Sequence, residues 1–217
     1  MSDTDSFIEE VTEELRRDQL FRLMRRYGWI AILLVLLLVG GAAYNEWRKA
    51  RDTAAAQALG DAILEATRPE DPAERARALA ALETGGAARA PVLLLAAAEA
   101  LEAGDRALAG RFLADLSADS SLPPVWRDLA ALKEIMIAAE ELPPETRLER
   151  LAPLAAPGAP YRLLAEEQMA LAEIESDRRA AALERLRAIL ADEAATAGLR
   201  RRATQLIVAL GGDPQAA

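Results

Sequence analysis

The stretch AAAEALEAGDRALAGRFLADL, Ala96–Leu116, returns in weakened form as MALAEIESDRRAAALERLRAIL, Met169–Leu190, at a sequence offset of 73. The matched positions are Ala97 with Ala170, Leu101 with Ile174, Ala109 with Ala182, Leu113 with Leu186, and Leu116 with Ile189. Each stretch is two runs of helix formers broken by a polar turn. An offset of 73 fits two helix–turn–helix repeats of the roughly 34-residue class with a few insertions, and the unit between them is expected from Trp126 to Leu154. Small side chains at Ala97, Ala109, Ala170 and Ala182 would let the two helices of a hairpin approach closely. Leu101, Leu113, Ile174 and Leu186 are expected to fill the space between neighbouring hairpins. A hairpin of this kind hides its apolar face only against a neighbour, so the expectation is a stack whose concave side is left free for a partner.

Outward from this pair, no strand pattern occurs after the residues near position 46. Val, Ile, Thr and aromatics are scarce, while Ala, Leu, Arg and Glu dominate, and these are good helix formers. The region is read as all-α, with helices predicted at about 47–66, 72–83, 90–103, 106–117, 124–140, 145–154, 160–175, 178–191 and 195–210. Pro72, Pro91, Pro124 and Pro160 fall near helix starts, where a missing backbone N–H does no harm. Gly85, Gly86, Gly104 and Gly211 fall near helix ends, as C-terminal caps would.

Towards the N-terminus lies YGWIAILLVLLLVGGAAYN, Tyr27–Asn45, uncharged throughout and close to the roughly 20 apolar residues that span a bilayer. Tyr27 and Trp29 at one end, and Tyr44 and Trp47 at the other, sit where amphipathic rings prefer the headgroup level. Five arginines (Arg16, Arg17, Arg22, Arg25, Arg26) precede the segment, against Arg48, Lys49 and Arg51 after it, so the positive-inside bias puts the N-terminus in the cytoplasm. A signal peptide is the competing reading, with Gly41 and Ala43 as a small-residue cleavage site, but this apolar run is longer than a secretory h-region and begins late. Residues 1–26 read as a cytoplasmic amphipathic helix, 27–45 as the transmembrane anchor, and 46–217 as the domain on the far side. In the first of these, Phe7, Ile8, Val11 and Leu15 recur at helical spacing, and Glu13 can reach Arg17 one turn on.

Composition excludes several function classes. The chain has no Cys and no His, which removes thiolate and imidazole metal sites and the His-dependent nucleophilic sites. No cofactor or small-molecule substrate is expected. The formal net charge is -9, and from Glu46 onward 28 acidic residues face 21 basic ones, so a nucleic-acid surface is not expected.

The acidic-then-basic N-terminal helix, the anchor GWIAILLVLLLVGGAAYNEWRKA (Gly28–Ala50) and the A-x-x-L-x-x-G-D-x-x-x-A hairpin together resemble the YfgM-like, tetratricopeptide-repeat-like inner-membrane proteins of bacteria. The final stretch from Pro160 to Gly212 is similar to the C-terminal repeats of alphaproteobacterial members. The resemblance implies a single N-terminal transmembrane helix followed by a periplasmic tetratricopeptide-like helical hairpin solenoid. It further implies an accessory role beside the Sec translocon and periplasmic chaperones. This chain departs from the usual repeat signature where the Gly of the first turn is read as Ser176 in the later repeat.

Other candidates are read more plainly. The acid pairs Glu140–Glu141, Glu166–Glu167 and Asp192–Glu193 invite an acid–base reading, but adjacent helical residues diverge by about 100°, so all three are expected to be solvated helix surface. Phe112, Trp126 and Tyr161 are expected to pack inside. Arg200, Arg201 and Arg202 could hold an acidic partner helix and are read as a helix face. Gly40, Gly41, Ala42 and Ala43 are small enough to admit a second membrane helix. The functional expectation is a non-catalytic, membrane-anchored scaffold for other proteins. The alternative is a structural single-pass subunit that associates mainly through its transmembrane helix.

Overall fold

The computed structural model describes the backbone of residues 3–214 and the side chains of residues 25–214 apart from Tyr27, Ala31 and Ile32. The side-chain pattern expected for residues 5–24, including the Glu13–Arg17 pair, and the ring of Tyr27 lie outside the described residues. Among the described residues every regular element is helical: α1 (Asp3–Ala66), α2 (Pro72–Ala80), a short 3-10 turn (Gly86–Ala88), α3 (Arg89–Glu102), α4 (Arg106–Ala118), α5 (Pro124–Ile137), α6 (Pro144–Leu151), α7 (Arg162–Glu175), α8 (Arg179–Ala191) and α9 (Ala197–Ala209). The chain divides into two compact units, Met1–Asp61 and Ala62–Ala217.

The described residues of the first unit all lie within helix α1, whose last residues, from Ala62 to Ala66, belong to the second unit. The segments read from the sequence as a cytoplasmic helix, an anchor and a separate helix at 47–66 run together without a break. No proline occurs before Pro69, and an internal glycine such as Gly28 or Gly40 weakens a helix by about 1 kcal/mol without obstructing it. The helix stops where Thr67 donates both its N–H and its hydroxyl to Ile63 O, two residues ahead of Pro69, whose ring disfavours helix in the residue before it.

In the second unit α2 to α9 pack each against the next, with cores at the crossings. Side-chain caps set several of the starts: Asp71 accepts from Ala73 N at 2.9 Å, Asp105 from Leu108 N at 2.9 Å and Thr196 from Leu199 N at 3.3 Å. Pro72, Pro124 and Pro144 occupy first helical positions. Helices α2, α4, α6 and α8 begin at Pro72, Arg106, Pro144 and Arg179, a rhythm close to the roughly 34-residue period of helix–turn–helix repeats.

The offset of 73 holds for the last three helices of each half. Helices α3, α4 and α5, starting at Arg89, Arg106 and Pro124, map by that one offset onto α7, α8 and α9, starting at Arg162, Arg179 and Ala197. Asp105 N donates to Ala100 O and Arg178 N to Glu173 O, both at 2.8 Å; Ala109 N donates to Asp105 O and Ala182 N to Arg178 O, both at 3.1 Å. Arg89 at the start of α3 pairs with Asp119 in the α4–α5 turn, and Arg162 at the start of α7 pairs with Asp192 in the α8–α9 turn. Helices α2 and α6 match at an offset of 72, with Leu79 and Leu151 both buried. The domain is therefore a tandem of two four-helix halves, α2–α5 and α6–α9. A longer α6–α7 connection absorbs the one-residue difference.

The register also corrects the turn. The residue that replaces Gly104 in the second half is Asp177, not Ser176: both close a helix with positive φ, +80° and +55°, and both donate their N–H to the residue three back. This left-handed conformation suits glycine and strains a side-chain-bearing residue. Gly211 caps α9 as expected, but Gly85 and Gly86 lie in the α2–α3 connection, because α2 has already ended at Ala80. By chemical denaturation, Gly104→Ala should lose about 1–2 kcal/mol and Asp177→Gly should gain about 0.5–1 kcal/mol. Equal effects of the same sign at both sites would show the turns to be unlike.

Candidate interaction surfaces

Two kinds of surface can hold something outside the chain: the apolar run of α1 and the grooves between the helices of the domain. In α1 the side chains from Leu33 to Val39 are all exposed, as are Trp29, Tyr44 and Trp47. They lie in Gly28–Ala66, the one helical span among the described residues long and apolar enough to cross a membrane. Trp29 and Trp47 are separated by about 27 Å along a helix, close to the ~30 Å of a hydrocarbon core. Tyr44 and Trp47 share a face, their ring centroids 6.1 Å apart, and the Arg51 guanidinium lies 5.7 Å from the Trp47 ring centroid one turn further on.

In the domain, Ala97, Ala109, Ala170, Ala182, Leu113 and Leu186 are buried, at no more than 2% exposure. Five of them sit in two separate clusters, Ala97, Ala109 and Leu113 in one and Ala170 and Leu186 in the other. Leu101 departs from the expectation that it fills the space between hairpins: it is 37% exposed, and its counterpart Ile174 is half-buried. In the last turn of α3 the inward position belongs to Ala100, and Leu101, about 100° further round, lies on the rim. Phe112, Trp126 and Tyr161 are half-buried and packed against cores.

The acid pairs do diverge, but they are not simply solvated surface. Glu167 is 5% exposed and takes two hydrogen bonds from Arg202, Nε to Oε1 at 2.6 Å and Nη2 to Oε2 at 2.7 Å. Its neighbour Glu166 turns to Arg185, which also binds buried Glu173. Arg147, itself buried, pairs with Glu175. Helix α7 is thus an acidic strut clamped by arginines of α6, α8 and α9. Of the run Arg200–Arg202, read from the sequence as a helix face, Arg202 alone holds an acidic helix, and that helix belongs to the same chain. Arg200 meanwhile donates to Asp192 O at 2.8 Å, and Arg201 is exposed. Spacings of 28 and 35 between partners carry no helical-face signal, so a single sequence hides these pairs.

Every shifted carboxyl moves towards the charged form. Hydrogen bonds from the Ser121 hydroxyl and N–H, reinforced by Arg89, hold Asp119 below the usual carboxylate range; Arg162, with the Ala194 N–H, does the same for Asp192. Glu140 is lowered by Arg106. Of the acids offered as acid–base candidates, Glu140, Glu166, Glu167 and Asp192 are each committed to a separate arginine, Arg106, Arg185, Arg202 and Arg162, rather than to one cleft.

Among the grooves that open on the domain, two bear on binding. One, of about 420 Å³, is lined by Tyr161, Leu164 and Leu199 with Arg162 and Arg202, whose charges are already engaged by Asp192 and Glu167. The other, of about 340 Å³, lies between α4 and α5 around Gly110 and Ile137. Among the described residues no group of three metal-ligating side chains converges. No protein-family model matches the chain, and no curated protein and no solved structure matches it.

Arg202→Ala should lower unfolding stability by about 2 kcal/mol, the usual penalty for orphaning a buried carboxylate discounted because Arg202 is half exposed. Arg202→Lys should recover only part of it, since an ammonium cannot make the two-pronged contact. Asp119, Asp192 and Glu140 are more acidic folded than unfolded. Their contribution is therefore complete above the unfolded carboxylate range near ~4 and is lost as pH falls through their lower folded values. A melting-temperature series should be flat above about pH 5 and fall below it, and Asp119→Asn with Asp192→Asn should lower the plateau and flatten the fall.

Proposed function

We propose that this chain is a single-pass protein of the bacterial inner membrane, cytoplasmic over residues 1–26 and periplasmic over 46–217, whose tetratricopeptide-like helical domain binds other proteins. The observation that carries the reading is the exposed apolar run Leu33–Val39, bracketed by Trp29 and the Tyr44–Trp47 pair at membrane spacing. The orientation rests on the five arginines before the anchor against three basic residues after it. The repeat reading draws support from the regular recurrence of helix pairs at Pro72, Arg106, Pro144 and Arg179 and from the shared register of the two halves. The resemblance to YfgM-like proteins supplies the partners: components of the Sec translocon and periplasmic chaperones. Catalysis, cofactors and nucleic acid form no part of the reading.

The mechanism is confinement. An anchored domain searches a thin layer above the membrane, so even a weak contact with a membrane-embedded partner gains from a raised effective concentration. A soluble copy of the same domain would lose that gain without losing any contact.

Topology is tested at Ser120, exposed beyond the end of α4 in a chain that has no native cysteine. Ser120→Cys should react with a membrane-impermeant thiol reagent in cells whose outer membrane is permeabilised. Protection until lysis would reverse the orientation and remove the proposed partners. Affinity capture from detergent extracts should enrich translocon components or periplasmic folding factors with the full chain. Enrichment by the anchor alone, with nothing held through the domain, would leave the chain a structural subunit rather than a scaffold.

A further inference from the structure

The two halves of the helical domain differ at one matched position in a way that opens a groove in the first half and closes it in the second. In α8, Leu183 spans the crevice towards the end of α9: a methyl on Gly212 would lie 2.8 Å from Leu183 Cδ2 and 3.0 Å from Ile207 Cγ2, so nothing further fits. In α4 the residue matched to Leu183 is Gly110. A methyl there would meet only Ile137 Cδ1, at 3.9 Å, which is ordinary contact. The result is the α4–α5 groove of about 340 Å³, floored by Ala107, Gly110, Ala114 and Ile137.

We propose that this groove receives one leucine-class aliphatic side chain from a helical segment of a partner protein, with an acid of that segment facing Arg111 and a base facing Glu141. The inference deepens the scaffold reading and rests on it. The second half of the chain states the size and chemistry of the occupant, because its own Leu183 fills the equivalent crevice from within. The rim states the charge. Arg106 is engaged by Glu140, and Glu134 by Arg150. Arg111 and Glu141, both exposed on the groove's lining, form no ion pair among the described residues, and Glu141 acts on Arg106 only through space. One such cation and one such anion beside an apolar floor complement an amphipathic helix carrying both signs. A partner leucine would also complete the cover of Ile137, whose half-buried side chain the glycine leaves open on the groove side.

The substitution that tests this is the one the second half already contains. Gly110→Leu should fill the groove, and replacing a mid-helix glycine where a Cβ fits should leave the melting temperature unchanged or raised. The probe is an alanine-based helical peptide with a central leucine, a glutamate one turn before it and a lysine one turn after. It is titrated into the full chain in detergent micelles with isoleucine δ1-methyl labelling. The Ile137 methyl should shift on titration, binding should weaken roughly tenfold when the peptide's leucine becomes alanine, and it should vanish in Gly110→Leu, with Gly110→Ala intermediate. Arg111→Gln and Glu141→Gln should each weaken it about two- to threefold at low salt and leave it unchanged at high salt.

A silent Ile137 methyl, or equal binding by Gly110→Leu, overturns the groove. If Gly110→Leu instead changes the chain's self-association by sedimentation, the occupant is a second copy and the proposal fails. Capture of cellular partners that persists undiminished in Gly110→Leu overturns the groove and leaves the scaffold reading standing.

Discussion

Helices can approach to the near end of the usual separation of about 8–10 Å only where side chains at the crossing are small, and in this domain the crossings are built on fully buried alanines such as Ala76, Ala100, Ala109, Ala170, Ala182 and Ala203. That close approach places leucines such as Leu79, Leu113 and Leu186 beside it at complete burial, and it orders a series of short helices without a disulfide or a large aromatic core. The tight turns at Gly104 and Asp177 follow from it, because helices that touch along their length must be joined by reversals too sharp for ordinary φ.

Alanine crossings bury little area each, so apolar burial is spread thinly and polar links between helices gain importance. The arginines supply them. Arg75 reaches Glu99, Arg147 reaches Glu175, Arg185 reaches Glu166 and Glu173, and Arg202 reaches Glu167. An exposed pair of this kind contributes ~0–1 kcal/mol, whereas the two-pronged contact on buried Glu167 is harder to replace. The net negative charge of the domain is therefore not spread evenly: much of the acid in α7 is neutralised internally. Among the described residues, Arg111 and Glu141 at the α4–α5 groove stay outside any such link.

Much of the architecture could be read from residues in order. Capping aspartates and prolines at first helical positions act within one turn, so most helix bounds predicted from them lie within a few residues of those found. The offset between the halves was visible because the same alanines and leucines recur, although its hydrogen-bonded turns were not. Misreading Ser176 as the counterpart of Gly104 shows the reason: a turn is defined by φ, and Asp177 adopts the glycine conformation without being glycine. The rim position of Leu101 was equally hidden, since periodicity assigns a face but not the width of what covers it.

The sequence by itself determined that the chain is helical, that α1 carries an apolar run of membrane length and that the domain repeats. These depend on propensity, hydrophobic period and local caps, all of which act between residues close in the chain. Only the tertiary structure decided that Glu167 is buried beneath Arg202, that Arg202 alone of the run Arg200–Arg202 clamps the internal strut, and that Gly110 opens a groove which Leu183 closes in the other half. Those outcomes depend on side chains that meet from far apart in the chain, as Arg147 meets Glu175 and Arg202 meets Glu167, and such contact is set by how the helices pack rather than by the order of their letters.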